Sequence, residues 1–499
     1  MKIHVKRGSL TNTATEVLVI GGYENEKALE KPLHGLDRHV DGQLAAMRKS
    51  GEFQGKVNQT VLVHSRGSVP AKRILWVGLG KREKVTLDSI RQAMGTAVKR
   101  VRQTGARSFT SPLLGVESSG HSVSDLSQAM VEGAILGSYR FIQFQTNHTD
   151  NGKPVDTLNL LVTDSQLNGV KSGSHRGVVI AEAVGLVRDL CNTPANIMNP
   201  RQVVEQAKKI AKERGVKLTV FNRAQIEKLG MGGLLGVSRG SQEPPQFIIL
   251  EYAGGAKKEK PVVLVGKTVT FDSGGISLKP AENMEQMKAD MTGGAEVLAA
   301  VLAVSRLRAR LHVVGILPVT ENMPGGRATK PGDILKMLSG KTVEVQNTDA
   351  EGRLILADGL AYATRWKPKC IIDIATLTGA CMVALGQHAI GMLGNNDRLK
   401  AQVKDAGEQS GERVWEMPLW DEYFEQLKSD VADMRNIGGR GGGMITAAMF
   451  LSKFVDDYPW VHLDIASVDW GQSERPYISK GPTGIGTRLL IQYLLNQEK

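Results

Sequence analysis

Two stretches of this chain concentrate residues able to do chemistry. The first is Val265-Gly-Lys267-Thr-Val-Thr-Phe-Asp272-Ser-Gly-Gly-Ile-Ser-Leu-Lys279-Pro280, which continues through Met287 to Asp290. The apolar run that opens it reads as a strand, so Lys267 and Asp272 leave a strand end, where open α/β sheets place their ligands. Gly274 and Gly275 permit a close backbone approach, and Pro280 holds Lys279 extended. The second stretch is Asn347-Thr-Asp349-Ala-Glu351-Gly-Arg353-Leu354. In an extended segment residues two apart point the same way, so Asp349, Glu351 and Arg353 are expected to face one site.

Singly, each of these residues has an ordinary explanation. Asp290 can cap a helix, Asp349 can sit in a turn, and Arg353 can pair with Glu351. Jointly, carboxylates this close repel unless a cation lies between them. Asp272, Asp290, Asp349 and Glu351 beside sheet-end glycines are what a pair of hard divalent cations requires. Other short matches fail on context. Gly236-Val-Ser238-Arg-Gly240 has the G-x-S-x-G form, but the glycine-rich segment before it is no strand delivering a nucleophile. Gly266-Lys267-Thr268 and Gly340-Lys341-Thr342 lack the leading glycine of a phosphate loop, where Pro261 and Leu335 stand. No His-Glu-x-x-His occurs among the 10 histidines.

The string Asn347 to Leu354, together with Val265 to Pro280, closely resembles the signature of the leucyl aminopeptidase (cytosol aminopeptidase) family. The resemblance spans the second half of the chain and extends more loosely through Asp189-Leu-Cys-Asn-Thr-Pro194. It implies a metal-dependent exopeptidase that hydrolyses the first residue from peptides with a free amino terminus, using a water activated by two divalent ions, manganese, zinc or magnesium. Carried over by position, Lys267, Asp272, Asp290, Asp349 and Glu351 match metal ligands, with Lys267 neutral so that it can donate a lone pair. Lys279 and Arg353 match the catalytic pair, Arg353 holding a bicarbonate that shuttles the proton. Met287, Thr376 and Gly379 match the pocket for the first side chain. They offer no countercharge, so Leu and Met are the expected preferences. A homohexamer is also implied.

The elements that must position these residues alternate strand and helix along the whole chain, which is the α/β pattern. Two domains are expected in the 499 residues. A small N-terminal α/β domain covers 1–165, and a linker with a connecting helix, Val178–Leu190, covers 166–194. A larger C-terminal catalytic α/β domain covers 195–499, with a mixed, largely parallel sheet covered by helices. The glycine cluster Gly438–Gly443 reads as a loop.

Composition limits the rest. The first residues, MKIHVKRGSL, carry no apolar run of signal length, and no stretch approaches bilayer-spanning length, so an unanchored cytoplasmic protein is expected. Cys191, Cys370 and Cys381 form no metal-binding or redox pair. The net charge of +12 is spread along the chain. It leaves nucleic-acid binding or regulation through a basic surface as the alternative function, alone or beside the peptidase.

Overall fold

The computed structural model describes residues 1–26, 28–118, 120–146, 154–255 and 259–498. They form two compact units, Met1–Glu182 with Ser473–Lys480, and Ala183–Gln472 with Gly481–Lys499. As expected from the sequence, both are α/β.

The first unit has a sheet in the order Lys2–Arg7, Thr157–Val162, Ser108–Pro112, Leu18–Tyr23, Arg73–Gly80, Thr60–His64. All neighbours are parallel except the last pair. The central strands Leu18–Tyr23 and Arg73–Gly80 are buried almost throughout, as an unbroken apolar strand requires when both sheet faces are covered. The covering helix Leu87–Gln103 starts on a reciprocal cap between Thr86 and Ser89.

The boundary differs from the expected residue 165. One helix runs Leu167–Asn192, much longer than Val178–Leu190, and the division between units falls inside it. Gly169, Gly173 and Gly177, in the stretch expected to be linker, are spaced four apart on one helix face. A Cβ on Gly173 would collide with the carbonyl of Ser124, and those on Gly169 and Gly177 would press on Val123 and Val131. These residues lie in or beside the helix Val123–Gly137, so the stripe permits two helices to approach closely rather than breaking one. The segment Ser473–Lys480 also belongs to the first unit, tied there by Tyr477 to Asp88 and by Lys99 to Glu474.

The second unit holds a nine-stranded mixed sheet whose main path is Val414–Glu416, Ile390–Gly394, Trp460–Asp464, Cys370–Ala375, Val262–Gly266, His312–Asn322, Gln246–Ala253, Val216–Phe221. Its middle four strands are parallel, and Thr268–Asp272 adds in parallel to His312–Asn322. The helices Thr292–Leu307 and Glu351–Ala363 are buried along nearly their whole length, so they pack as inner layers and not as surface helices. A Cβ on Gly293 or Gly294 would meet the Ile374 carbonyl or the Thr268 hydroxyl, so these glycines let the first helix start hard against the sheet. Among the described residues, no helix is long and apolar enough to cross a membrane.

Candidate active site and metal centre

Lys267 lies between the strands Val262–Gly266 and Thr268–Asp272, and Asp272 ends the second of them. Strand ends at the centre of a parallel sheet therefore deliver both, as the sequence suggested. The Nζ of Lys267 is 2.8 Å from Oδ1 of Asp290 and 2.8 Å from Oε1 of Glu351, and it donates to the Thr376 carbonyl at 2.9 Å. Asp290 also accepts from the Thr376 hydroxyl at 2.7 Å. It is not the N-terminal cap of the helix Thr292–Leu307, because Met291 occupies that position.

Asp349, Glu351 and Arg353 do not share an extended segment. Glu351 opens the helix Glu351–Ala363, where its charge suits the positive helix end. The turn from Asp349 into that helix brings its residues to the site from different heights. Gly352 is required by the neighbour it faces, since a Cβ there would strike the end of the Lys267 side chain. Arg353 does not pair with Glu351. Its Nη1 donates to the backbone oxygen of Asn436 at 2.8 Å, and its Nε is buried with no hydrogen-bond partner. Burial holds this guanidinium down to about 10, against the pull of Glu351 and Asp464.

Lys279 meets the other two carboxylates. Its Nζ is 2.8 Å from Oδ2 of Asp272 and 2.5 Å from Oδ1 of Asp349. The two sequence stretches are stitched together below it. Ser277 and Thr348 exchange hydrogen bonds, N to Oγ1 at 2.8 Å and N to Oγ at 3.1 Å. Asn322 donates to Asp272 Oδ1 at 2.8 Å and to the Thr348 carbonyl at 3.0 Å. Sequence reasoning missed Asn322 and Asn436, because each acts from a distant segment and neither lies in a recognisable motif.

The cluster is short of positive charge. Ligand atoms of Asp272, Asp290 and Glu351 lie within 4.8 Å of one another. Oδ2 of Asp290 and Oε2 of Glu351 are buried without a hydrogen-bond partner. Burial pushes the Asp290 carboxyl well above its ordinary range even though Lys267 opposes it, and burial with Asp272 raises Glu351. Burial alone would depress Lys267, but Asp290, Glu351 and Asp272 outweigh it and keep the ammonium protonated. Orphaned buried oxygens on hard ligands fit divalent cations.

A cavity of about 510 Å³ opens over this cluster. Lys267, Asp272, Lys279, Asp290, Asp349 and Arg353 line it, and so do Met287, Thr376 and Gly379. Glu351 reaches the group through Lys267. All ten positions singled out in the sequence thus converge, from segments far apart in the chain.

Comparison with known proteins shows the family. The model of the cytosol aminopeptidase family, catalytic domain, matches residues 185–491, and that of the family's N-terminal domain matches 19–148. The chain belongs to the cytosol aminopeptidase family. As a family member it is a peptide-bond hydrolase. It is 45% identical over 498 residues to a probable cytosol aminopeptidase of Roseiflexus castenholzii, covering 99% of each chain. With that of Geobacter sulfurreducens it shares 44% over 497 residues, again 99% of each. Among solved structures it resembles a substituted tomato leucine aminopeptidase, at 35% identity and TM-score 0.88, covering 100% of this chain and 97% of that one. The bottromycin maturation enzyme BotP in complex with Mn is also similar, at 35% identity and TM-score 0.86, covering 97% and 100%.

Proposed function

We propose that this family member is a two-metal aminopeptidase that releases the first residue of peptides by hydrolysis. Lys267, Asp272, Asp290, Asp349 and Glu351 hold the metals in this reading. The observation that carries it is the set of Asp272, Asp290 and Glu351 ligand atoms within 4.8 Å of one another, two of these residues keeping an orphaned oxygen. When bound, divalent cations lower the pKa of water from about 15.7 towards about 7 and polarise a carbonyl, which supplies the nucleophile at neutral pH. Manganese and zinc suit the oxygen-rich set, with magnesium as the third choice; a manganese complex of the similar BotP supports the first.

The two lysines divide the work by exposure. The Lys267 side chain is 4% exposed and the Lys279 side chain 21%, so Lys279 is the one a substrate can meet. Lys279 hydrogen-bonds the oxyanion that develops at the scissile carbonyl. Arg353 is always cationic and cannot be a base. Its buried Nε, turned to no protein acceptor, offers a planar oxyanion such as bicarbonate a charge-assisted bond, and this supports bicarbonate as the proton shuttle. Lys267 becomes a lone-pair donor only when cations reverse the local excess of negative charge. The acid-rich end of the cavity favours a free α-amine, which an internal peptide bond lacks.

The homohexamer and the cytosolic location are part of this proposal, resting on the family resemblance and on the relatives' names. Metal analysis of the purified chain, with leucinamide hydrolysis before and after chelation, tests the reading. Two ions per chain and loss of leucine release on chelation are expected. Full activity without metal, or release of phosphate from a phosphate ester in place of leucine, would overturn it.

A further inference from the structure

The sequence marked the first-residue pocket by Met287, Thr376 and Gly379, which carry no charge. Asp469 lines the same cavity and adds a charge that those three residues lack. It lies just past the strand Trp460–Asp464, in a turn where Val468 N and Asp469 N both donate to the Ile465 carbonyl at 2.9 Å. That turn delivers an acid to the cavity from a segment far from either signature stretch.

Among the described residues this carboxyl has no cation of its own, although the backbone N–H groups of Asp469 and Trp470 donate to it. Lys267 acts on it, but Lys267 is already held between Asp290 and Glu351. Asp464 adds negative charge nearby, and burial together with Asp464 pushes the Asp469 carboxyl up to about 7. Glu296 is fully buried with neither carboxyl oxygen hydrogen-bonded, and Asp469 and Glu412 both raise it further. An acid so placed costs free energy to ionise, and a matching cation entering the cavity removes that cost.

We propose that Asp469 determines specificity for the first residue and admits lysine and arginine side chains beside the aliphatic ones that the Met287 wall fits. The inference rests on the aminopeptidase reading and names its substrate class. An ammonium or guanidinium group satisfies the carboxylate, the latter with two parallel hydrogen bonds. An acidic first residue meets like charge and is rejected.

The test compares kcat/KM of the metal-loaded enzyme on the amides of arginine, lysine, leucine and aspartate. The two basic amides are expected within about tenfold of leucinamide, and aspartyl amide at least about 100-fold below it. Asp469→Asn keeps the size and removes the charge. It should lower the arginine-to-leucine ratio about 10- to 100-fold, and Asp469→Glu should retain most of it. A ratio that moves less than about threefold overturns the proposal. A measurement on the unsubstituted enzyme guards against a variant that fails to fold. Free arginine should inhibit leucinamide hydrolysis about tenfold more tightly than citrulline, its neutral counterpart, and equal inhibition counts against Asp469. Release of leucine without basic selectivity sinks this inference alone, whereas no release from any amide sinks the aminopeptidase reading with it.

Discussion

The backbone oxygen of Asn436 accepts from Nη1 of Arg353 at 2.8 Å, and the side chain of the same asparagine holds the loop that leads to Asp349. Its Oδ1 accepts from Gln346 N at 2.9 Å and its Nδ2 donates to the Asn347 carbonyl at 2.7 Å. One residue thereby fixes the guanidinium and the acidic turn together. Arg353→Ala removes only the guanidinium, so metal content should stay at the unsubstituted level while kcat falls. Asn436→Ala keeps the backbone oxygen that holds Arg353 but frees the turn, and should lower metal affinity in addition to kcat. Metal titration of both variants separates them; identical behaviour would show that Asn436 does not position the turn.

Lys279→Met keeps most of the side-chain volume and deletes the oxyanion donor. Metal should remain bound while kcat drops about 100- to 1000-fold, more than for Arg353→Ala, because water or free bicarbonate replaces a proton shuttle more readily than a fixed cation. Loss of metal in Lys279→Met would make it a ligand. An unchanged kcat would place the oxyanion elsewhere.

Glu351→Gln and Asp290→Asn each remove a ligand charge from a buried set. Lys267, held by both carboxylates at 2.8 Å, then keeps one carboxylate partner instead of two. Metal content and rate should fall together, by direct metal analysis and leucinamide hydrolysis on the same samples. A variant that keeps both ions but loses activity would assign that carboxylate to proton transfer.

Behind the site, His462 and Asp373 form a fully buried pair, Nδ1 to Oδ1 at 2.6 Å, on adjacent strands. Burial lowers the imidazole, but Asp373 outweighs it and the net shift is upward. A folded-state pKa above the unfolded value of about 6.5 means that the folded protein binds the proton more tightly. Its contribution to stability is complete below that unfolded value and is lost as pH rises through the folded one. Asp373→Asn should destabilise by about 3–5 kcal/mol below pH ~6, and by less in alkali. Urea unfolding across pH checks this. A gap between the two proteins that widens with rising pH would reverse the sign and contradict the pairing.

Much of the architecture was legible because buried parallel strands must be apolar along their length. The apolar run that opens the first chemical stretch forms the strand Val262–Gly266, as expected. The helix Leu167–Asn192 was underestimated at its start because Gly169, Gly173 and Gly177 look like loop residues in one dimension. Only the helix they face shows that they are a packing stripe.

The sequence by itself determined the chemistry available, since residue types and local spacing decide which atoms can bind a cation or stabilise an oxyanion. It placed Lys267 and Asp272 at strand ends and marked Lys279, Asp290, Asp349, Glu351 and Arg353. It could not tell which lysine is the more exposed in the cavity, because burial is a property of the whole unit. Nor could it join Asn322, Asn436 and Asp469 to the site, since hydrogen bonds and charge act through space and these residues come close only when the sheet brings its strand ends together. The pocket's charge was therefore decided by tertiary structure, which brings the carboxyl of Asp469 to the same cavity as Met287, Thr376 and Gly379.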